Sequence, residues 1–353
     1  MNDVAREAGV SKMTVSLALR RDPQISLETR EKVMKTAAKM KYVGNPHVAE
    51  LMARLRTSRS ALFKATIGLI NANENPKAFQ THPTIPTYVE GISRSALRLG
   101  YALNRFWLHD PKMSPERLYR ILRTRNIRGL LLVGLMENNV LPKGYELLWE
   151  NFACVVTGVR TTDPTFSFSC VDHHAATLLA FEKAIQHGYR RPALVLDDVI
   201  DRLVERRFLA GALVSQMTIP KKNRIPAFMR VREADKDLKL FKDWFYRYEP
   251  DCLITLYHRI ERWVHALPKK IPEEVGLIQL EWRSDHPEWS GVVQHNDRTG
   301  EAALNMVIHQ IHQSEFGIPQ NPTATLIQGS WKEGQTLRSK VSVHLSDGRA
   351  SLI

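Results

Sequence analysis

The chain has 353 residues, a length typical of two or three domains, and its 43% hydrophobic and 25% charged residues exclude a disordered chain. Its net charge of +13 is densest at the amino terminus, where residues 1–60 hold twelve Lys and Arg against six Asp and Glu, which favours a phosphate-binding surface there. Three cysteines without paired spacing, no signal sequence, and no apolar run near the ~20 residues of a membrane helix predict a cytoplasmic protein without disulfides or membrane contact.

The first twenty residues predict two short helices joined by a glycine turn. Residues 3–8 favour a helix that Gly9 ends, and Ser11 is a good N-cap for a second helix that ends near Arg20. One sector of that second helix is apolar: Val15, Ala18 and Leu19. The opposite sector is polar and cationic: Lys12, Met13, Ser16, Leu17 and Arg20. This pattern is typical of a helix-turn-helix, whose second helix enters a DNA major groove; a small helical bundle is the alternative.

A third helix follows, with either Ser26 or Thr29 as its cap. Its apolar positions recur on one side: Val33, Ala37 and Met40.

The next segment predicts a short hinge helix. Gly44-Asn45-Pro46 breaks the chain, and the residues from His47 to Arg56 then carry one apolar stripe: Val48, Leu51, Met52 and Leu55. Because Arg54, Arg56 and Arg59 surround Leu55, an apolar wedge lies beside cations that can reach phosphates, which suits insertion into a minor groove. A linker helix docked on the following domain is the alternative.

From residue 66 onward, short apolar strands alternate with helices. The predicted strands are 66–70, 102–108, 129–133, 153–157, 193–196, 227–231, 252–256, 275–280 and 324–328, and the predicted helices are 88–99, 115–125, 175–187, 202–216, 235–248, 260–267 and 298–312. This order predicts an α/β fold with parallel sheets covered on both faces, and its length predicts two lobes.

Two segments of the amino-terminal region resemble the LacI/GalR-type bacterial transcriptional regulators. The stretch from Asp3 to Ser16 is similar to that family's helix-turn-helix signature, and the stretch from Ile25 to Val33 is similar to its third helix. Leu55-Arg56-Thr57 resembles the end of its hinge helix. The resemblance implies that Lys12, Met13, Ser16 and Leu17 face the major groove and that Leu55 is the lever in the minor groove.

The resemblance continues into the α/β region, at 187–191, 250–254 and 271–278. It implies a periplasmic-binding-protein-like sensor of two lobes, with a ligand at the carboxyl ends of the strands. The candidate effector-binding residues are Asn71, Asn73, Asp197, Asp198, Arg206, Arg207, Tyr257, Glu281 and Trp282, with His258 beside them. Where sugar-responsive members have Ala-Asn-Asp, this chain has Leu256-Tyr257-His258, so the effector is not identified; Trp282 stacking on a sugar ring is one arrangement.

The chain also departs from the family pattern in its DNA-binding region. Leu17 stands where the family commonly has Arg, so a contact to guanine is lost and a different operator preference is expected. The hinge is about two residues longer, and the family usually has a few residues before the position of Asn2, so the first helix begins abruptly or the start lies upstream.

No catalytic motif accompanies the acidic and histidine residues. Asp197-Asp198 and His173-His174 lack the spacing of metalloprotease, hydrolase or phosphate-loop elements, so no catalytic residue, metal or cofactor is expected. His173-His174 are expected to begin a helix at the surface, with Asp172 as its cap.

Three domains are therefore expected: a helix-turn-helix headpiece at 1–44, a hinge helix at 45–60, and a two-lobed effector-binding and dimerisation region at 61–353. The expected DNA contacts are Ser11, Lys12, Met13, Thr14, Ser16, Leu17, Arg20, Leu55 and Arg56. The predicted function is a homodimeric transcriptional regulator, a repressor on a palindromic operator, controlled by a sugar or related metabolite and associated with the bacterial nucleoid. A solute sensor without DNA binding is the alternative.

Overall fold

The computed structural model of the chain describes residues 2–19, 25–40 and 65–339. The chain divides into two compact units: unit 1 comprises Met1–Cys170 and Asn296–Thr325, and unit 2 comprises Val171–His295 and Leu326–Ile353. The predicted hinge, at 45–60, lies outside the described residues. None of the described helices is long and apolar enough to cross a membrane.

Three amino-terminal helices pack around a small core of their own. They are α1 (Asn2–Ala8), α2 (Lys12–Leu19) and α3 (Leu27–Lys39). The core consists of short apolar side chains, which let the helices approach closely: Val4, Ala5, Ala8, Val15, Ala18, Val33 and Ala37. We call the described residues of this region, 2–19 and 25–40, the headpiece.

The remainder of unit 1 is built on a six-stranded sheet in the order β10-β5-β4-β3-β1-β2. Its strands are β1 (Ala65–Asn71), β2 (Tyr101–Trp107), β3 (Gly129–Val133), β4 (Ala153–Thr157), β5 (Ser167–Val171) and β10 (Ala324–Ile327). Its helices are α4 (Ala78–Thr81), α5 (Ile85–Leu99), α6 (Pro115–Thr124), α7 (Glu146–Asn151) and α14 (Asn296–Gln313). The pairs β1–β2, β1–β3, β3–β4 and β4–β5 are parallel, and β3 and β4 are buried throughout because helices cover them.

Helices α5 and α14 cross at two glycines in unit 1. A Cβ atom on Gly91 would lie 1.9 Å from the backbone oxygen of Asp297, and one on Gly300 would lie 2.2 Å from that of Tyr88. The crossing therefore tolerates no side chain at either position. Arg94 Nη2 lies 2.6 Å from Asp297 Oδ2 and fixes the same crossing from the surface.

Unit 2 contains a five-stranded sheet in the order β11-β9-β8-β7-β6. Its strands are β6 (Pro192–Val195), β7 (Cys252–Thr255), β8 (Gly276–Gln279), β9 (Ser290–Val293) and β11 (Ser330–Lys332). Its helices are α8 (His173–Gln186), α9 (Asp198–Leu203), α10 (Arg207–Thr218), α11 (Val231–Ala234), α12 (Lys239–Tyr248) and α13 (Ile260–His265), with a 3-10 turn at Lys221–Asn223. Only β11 runs antiparallel among the described pairs.

The α/β architecture confirms the predicted fold class, and two of the predicted elements are wrong. The helix predicted at 202–216 is two helices, α9 and α10, because Glu205 and Arg206 between them adopt positive φ angles of 57° and 63°. The strand predicted at 227–231 is reduced to isolated bridges at Phe228 and Arg230 followed by α11. Cys154, Cys170 and Cys252 are free and buried among the apolar strands, as predicted for the first and last of them.

Candidate functional site

Ser11 begins the second helix of the headpiece, as predicted. Its Oγ accepts a hydrogen bond from the Thr14 backbone N–H at 3.0 Å and lies 2.8 Å from Thr14 Oγ1. Gly9, at φ +65°, makes the preceding turn in a conformation that residues with a Cβ rarely adopt. The start of α2 is thus held by its own first turn.

The two sides of α2 differ as the wheel predicts. Val15 and Ala18 are fully buried against α1 and α3, whereas Ser11 is exposed and Leu17 is half-buried. The helix therefore turns the Val15 side inward. The other expected DNA contacts lie outside what the structure describes, wholly or in their side chains: Lys12, Met13, Ser16, Arg20, Leu55 and Arg56.

The third helix of the headpiece settles the choice between two caps. Ser26 is the N-cap, and its Oγ accepts from the Thr29 N–H at 3.3 Å. Val33 and Ala37 are buried as predicted, but Met40 follows the end of α3 and is exposed, so its assignment to the buried side is wrong.

In unit 1, the candidate residues after β1 form a ladder of side-chain to backbone hydrogen bonds. Asn71 Oδ1 accepts from the Asn73 N–H, Asn73 Oδ1 from the Asn75 N–H, and Asn75 Oδ1 from the Lys77 N–H, all at 2.9–3.0 Å. The Asn71 amide also donates to the Asn75 carbonyl, and the Asn73 amide donates to the carbonyl of Gly134. Both predicted residues therefore hold their own loop in shape.

In unit 2, the carboxyl ends of β6, β7 and β8 are neighbours because these strands are adjacent and parallel. Asp197 follows β6 and is 4% exposed. Its carboxylate accepts from the Val199 N–H at 3.2 Å and from the Arg232 N–H at 2.8 Å, and the Arg232 Nε lies 3.4 Å away. Asp197 therefore caps α9 and attaches the segment around Arg232 to the edge of the sheet.

The next three candidates form a chain of ion pairs at the surface. Asp198 pairs with Arg202 at 3.0 Å and with Arg206, while Arg207 pairs with Glu205. Arg207 also acts on His173, which stacks on Phe208 at 4.7 Å. Arg206 and Arg207 are therefore engaged with neighbouring acids.

Tyr257 lies among charges at the end of β7. Burial, reinforced by the nearby Asp197 carboxylate, raises the pKa of its phenol to about 12. The guanidinium of Arg259 lies 4.6 Å from the ring centre, and Arg259 Nη1 lies 3.1 Å from Asp235 Oδ2. The structure thus brings two predicted residues, Asp197 and Tyr257, into one electrostatic group.

His258 forms a stacked pair with His286, with ring centroids 3.8 Å apart. Burial, and then the charges of His286 and Arg283, lower the pKa of His258 to about 4. Its Nε2 is buried without a hydrogen-bond partner among the described residues. The imidazole is therefore held neutral at the edge of the sheet at neutral pH.

Glu281 and Trp282 follow β8 and point to different neighbours. Glu281 Oε2 accepts from Arg283 Nη2 at 2.8 Å, with both side chains largely buried. The Trp282 indole donates to the Trp289 carbonyl at 3.0 Å, and Lys332 Nζ lies 5.5 Å from its ring centre. The cation-facing indole is the part of this group that resembles a stacking platform.

The sequence interpretation missed most of the groups that surround the candidates. They are Arg232, Arg259, Arg283, His286 and Lys332, of which only Arg259 and Arg283 lie beside a predicted residue in the chain. His173 begins α8 as predicted but is buried, so its placement at the surface is wrong; burial lowers its pKa to about 3. Nowhere in the described ranges do three metal-ligating side chains converge.

Comparison with known proteins defines the class of the molecule. Residues 1–45 match the family model described as "Bacterial regulatory proteins, lacI family". The transcriptional regulator MalR of Streptococcus pneumoniae is 26% identical over 195 residues, covering 55% of this chain and 56% of MalR, and CelR of Thermobifida fusca is 28% identical over 197 residues, covering 54% of each. The chain thus spans about half the length of the curated relatives it matches.

Solved structures match almost the entire fold. A CelR–cellobiose complex superposes with a TM-score of 0.56 at 17% identity, over 94% of this chain and 98% of that one. A lac repressor dimer bound to operator and an anti-inducer superposes with a TM-score of 0.56 at 16% identity, over 96% and 98%. The fold is that of a helix-turn-helix headpiece followed by a two-lobed α/β sensor, and the chain belongs to the LacI family of bacterial regulatory proteins.

Proposed function

We propose that this chain is a sequence-specific DNA-binding transcriptional regulator, a homodimeric repressor of a palindromic operator, whose affinity is set by a sugar or related metabolite. It acts in the cytoplasm of a bacterium, in association with the nucleoid, and it catalyses no reaction. The observation that carries the proposal is the headpiece, in which Val15 and Ala18 turn α2 inward on one side and leave the Ser11 side away from the core.

The chemistry of that helix supports base and phosphate contacts. A helix N-terminus with a serine cap presents free N–H groups and a positive dipole to a phosphate. The expected readers of base edges are Lys12, Met13, Ser16 and Leu17, with Arg20 and Arg56 on phosphates and Leu55 in the minor groove. MalR is named as a regulator, and the lac repressor dimer is bound to operator, which supports this assignment.

The edge of unit 2 supports control by a polar small molecule. Carboxylates, guanidinium groups and an indole meet at the ends of three adjacent strands, which is the position that ligands take in open α/β sheets. The structural neighbour CelR is in complex with cellobiose, which favours a sugar as the class of effector. Ion pairs such as Glu281–Arg283 can exchange partners with sugar hydroxyls.

Fluorescence anisotropy on a palindromic duplex and on a scrambled duplex of equal length tests DNA binding. We expect a preference for the operator of at least about 1,000-fold and an affinity that falls steeply with salt. Equal affinity for both duplexes, or no dependence on salt, would contradict the proposal.

Two charge-matched variants locate the contact surface. Lys12→Ala removes a cation from α2 and is expected to weaken operator binding about tenfold or more, whereas Lys35→Ala removes one from the exposed side of α3 and is expected to change it little. Equal losses would mean that only overall charge matters. Leu55→Ala is expected to weaken operator binding while leaving the scrambled duplex unaffected.

A thermal-shift screen with neutral sugars and metabolites tests the effector. A compound that raises the melting temperature is then added to the anisotropy assay, where it must change operator affinity. A stabilising compound without effect on DNA binding would identify a sensor that does not regulate through the headpiece.

A further inference from the structure

Helices α8 and α10 of unit 2 form one continuous surface. They are in close contact because residue 211 is a glycine: a Cβ there would lie 2.7 Å from Thr177 Cβ and 2.8 Å from the His174 carbonyl oxygen. No strand or helix among the described residues covers the outward sides of Leu213, Val214 and Met217 on this surface.

Helix α10 is apolar all around. Phe208 and Ala212 point into unit 2, yet Leu213 is 59% exposed and Met217 is 71% exposed on the opposite side. An α-helix that is hydrophobic on every side is normally buried on every side. The outward side of α10 therefore has the composition of a covered surface.

A groove runs beside this ridge, between α10 and α8. It has a volume of about 340 Å³, and its lining is mainly apolar: Leu178, Phe181, Ile185, Val214, Thr218 and Ile219. Its rim is polar, since Glu182 and Lys183 both interact with Gln186 along α8. An apolar centre within a polar rim that carries both signs of charge is the anatomy of a protein–protein interface.

We propose that this surface, the α8–α10 face, pairs two copies of this chain around a twofold axis. The ridge of Leu213 and Met217 lies next to a groove of matching apolar character, so each copy can place its ridge in the groove of the other, as an isologous interface requires. Across such an axis Glu182 and Lys183 find partners of opposite charge.

The area of the face is sufficient for this association. The exposed fractions of Ile185, Leu213, Val214 and Met217 amount to roughly 400 Å² of apolar surface per copy, the size of patch that marks an interaction site. A standard interface buries about 1,600 Å² in total, somewhat more than half of it apolar, so two such faces supply most of what is needed.

Sedimentation velocity of the full chain without DNA tests the pairing. The double variant Leu213→Glu/Met217→Glu is expected to lose one association step, halving the mass of the particle at about ten micromolar, because it places charges inside the interface. Both positions are exposed, so the melting temperature of the separated chain is expected to stay within a few degrees of the wild type.

A matched control carries the same kind of change on another helix. Leu147→Glu, on α7, alters a leucine that is 47% exposed outside the face and should keep the wild-type mass. The milder variant Met217→Gln should weaken association several-fold without adding charge.

Three results would overturn the proposal. They are a wild-type protein that sediments as one chain at this concentration, a double variant with the wild-type mass, and a control that dissociates equally. The second result is also the outcome if residues 340–353 of the same chain cover the face. Because the measurement needs no DNA, its failure leaves operator binding to be judged by anisotropy alone.

Discussion

The loop after β1 in unit 1 and the edge of the sheet in unit 2 use polar side chains in opposite ways. Asn71, Asn73 and Asn75 are neutral, and their amides are engaged with the backbone of their own loop. In unit 2, Asp198 and Glu281 pair with arginines from neighbouring segments. A neutral ladder is rigid and insensitive to salt and pH, whereas partly exposed ion pairs can exchange partners when a ligand arrives. We infer that unit 1 supplies shape and unit 2 supplies adjustable charge.

Asp197 is the exception in unit 2, and its replacement should have the largest effect. Asp197→Ala leaves the first turn of α9 uncapped and the Arg232 N–H without its acceptor, so we expect a loss of about 3 kcal/mol in the free energy of unfolding. Urea unfolding measures it. Asp198→Ala, in an exposed ion pair, is the control and should cost under about 1 kcal/mol; equal costs would remove the distinction between the two carboxylates.

The ladder of unit 1 should be the next most sensitive element. Asn71→Ala leaves the buried Asn73 N–H and the Asn75 carbonyl without their side-chain partner, at a cost of about 2 kcal/mol. Thermal unfolding at low and high salt distinguishes the ladder from ion pairs, since the loss should be the same at both. A loss that shrinks with salt would show that charge, and not the neutral ladder, stabilises this loop.

Acid should weaken unit 2 through His258. Its pKa is about 4 in the folded chain against 6.5 when unfolded, so the unfolded chain binds the proton more readily, and stability falls as pH drops from about 6.5 to about 4. Allowing for partial exposure, we expect about 1–2 kcal/mol from this group.

The variant His258→Gln isolates that contribution. Denaturant midpoints measured between pH 7 and pH 4 should show a shallower slope than in the wild type. A remaining slope is expected from His173, whose pKa burial lowers in the same direction. An unchanged slope would assign the whole effect to other groups.

The smallest effect is expected at Lys332. Lys332→Met removes the ammonium group over the Trp282 ring but keeps the length of the side chain, so we expect a loss of about 0.5 kcal/mol. Trp331→Phe leaves the other indole near this position out of the emission spectrum and allows Trp282 to be followed by fluorescence. A loss above about 2 kcal/mol would mean that the lysine has a structural partner beyond the indole.

The strands with continuous apolar runs could be predicted from sequence because burial on both sides of a parallel sheet requires them. Gly129–Val133 and Ala153–Thr157 are found with the predicted bounds. Strand β5 was missed because its serines at 167 and 169 interrupt the apolar run, although both are buried. The break before α10 was missed because neither Glu205 nor Arg206 is a residue that commonly takes a positive φ.

The candidate site was predictable only in part, for a related reason. The positions after β6, β7 and β8 follow from the rule that ligands approach the carboxyl ends of strands. The partners of those residues come from elsewhere in the chain: Arg232 from α11, His286 from the loop before β9, and Lys332 from β11. Sequence spacing carries no information about such contacts before the fold is known.

The crossing of α5 and α14 has a consequence for how the protein is made. Helix α14 closes the core of unit 1, yet it follows the first 125 residues of unit 2, Val171–His295, in the chain. During synthesis, unit 1 must wait with Ile92 and Val89 uncovered until the ribosome has delivered α14. The nascent chain therefore passes through a stage in which an unfinished sheet is exposed to aggregation, and slow translation across unit 2 would prolong it.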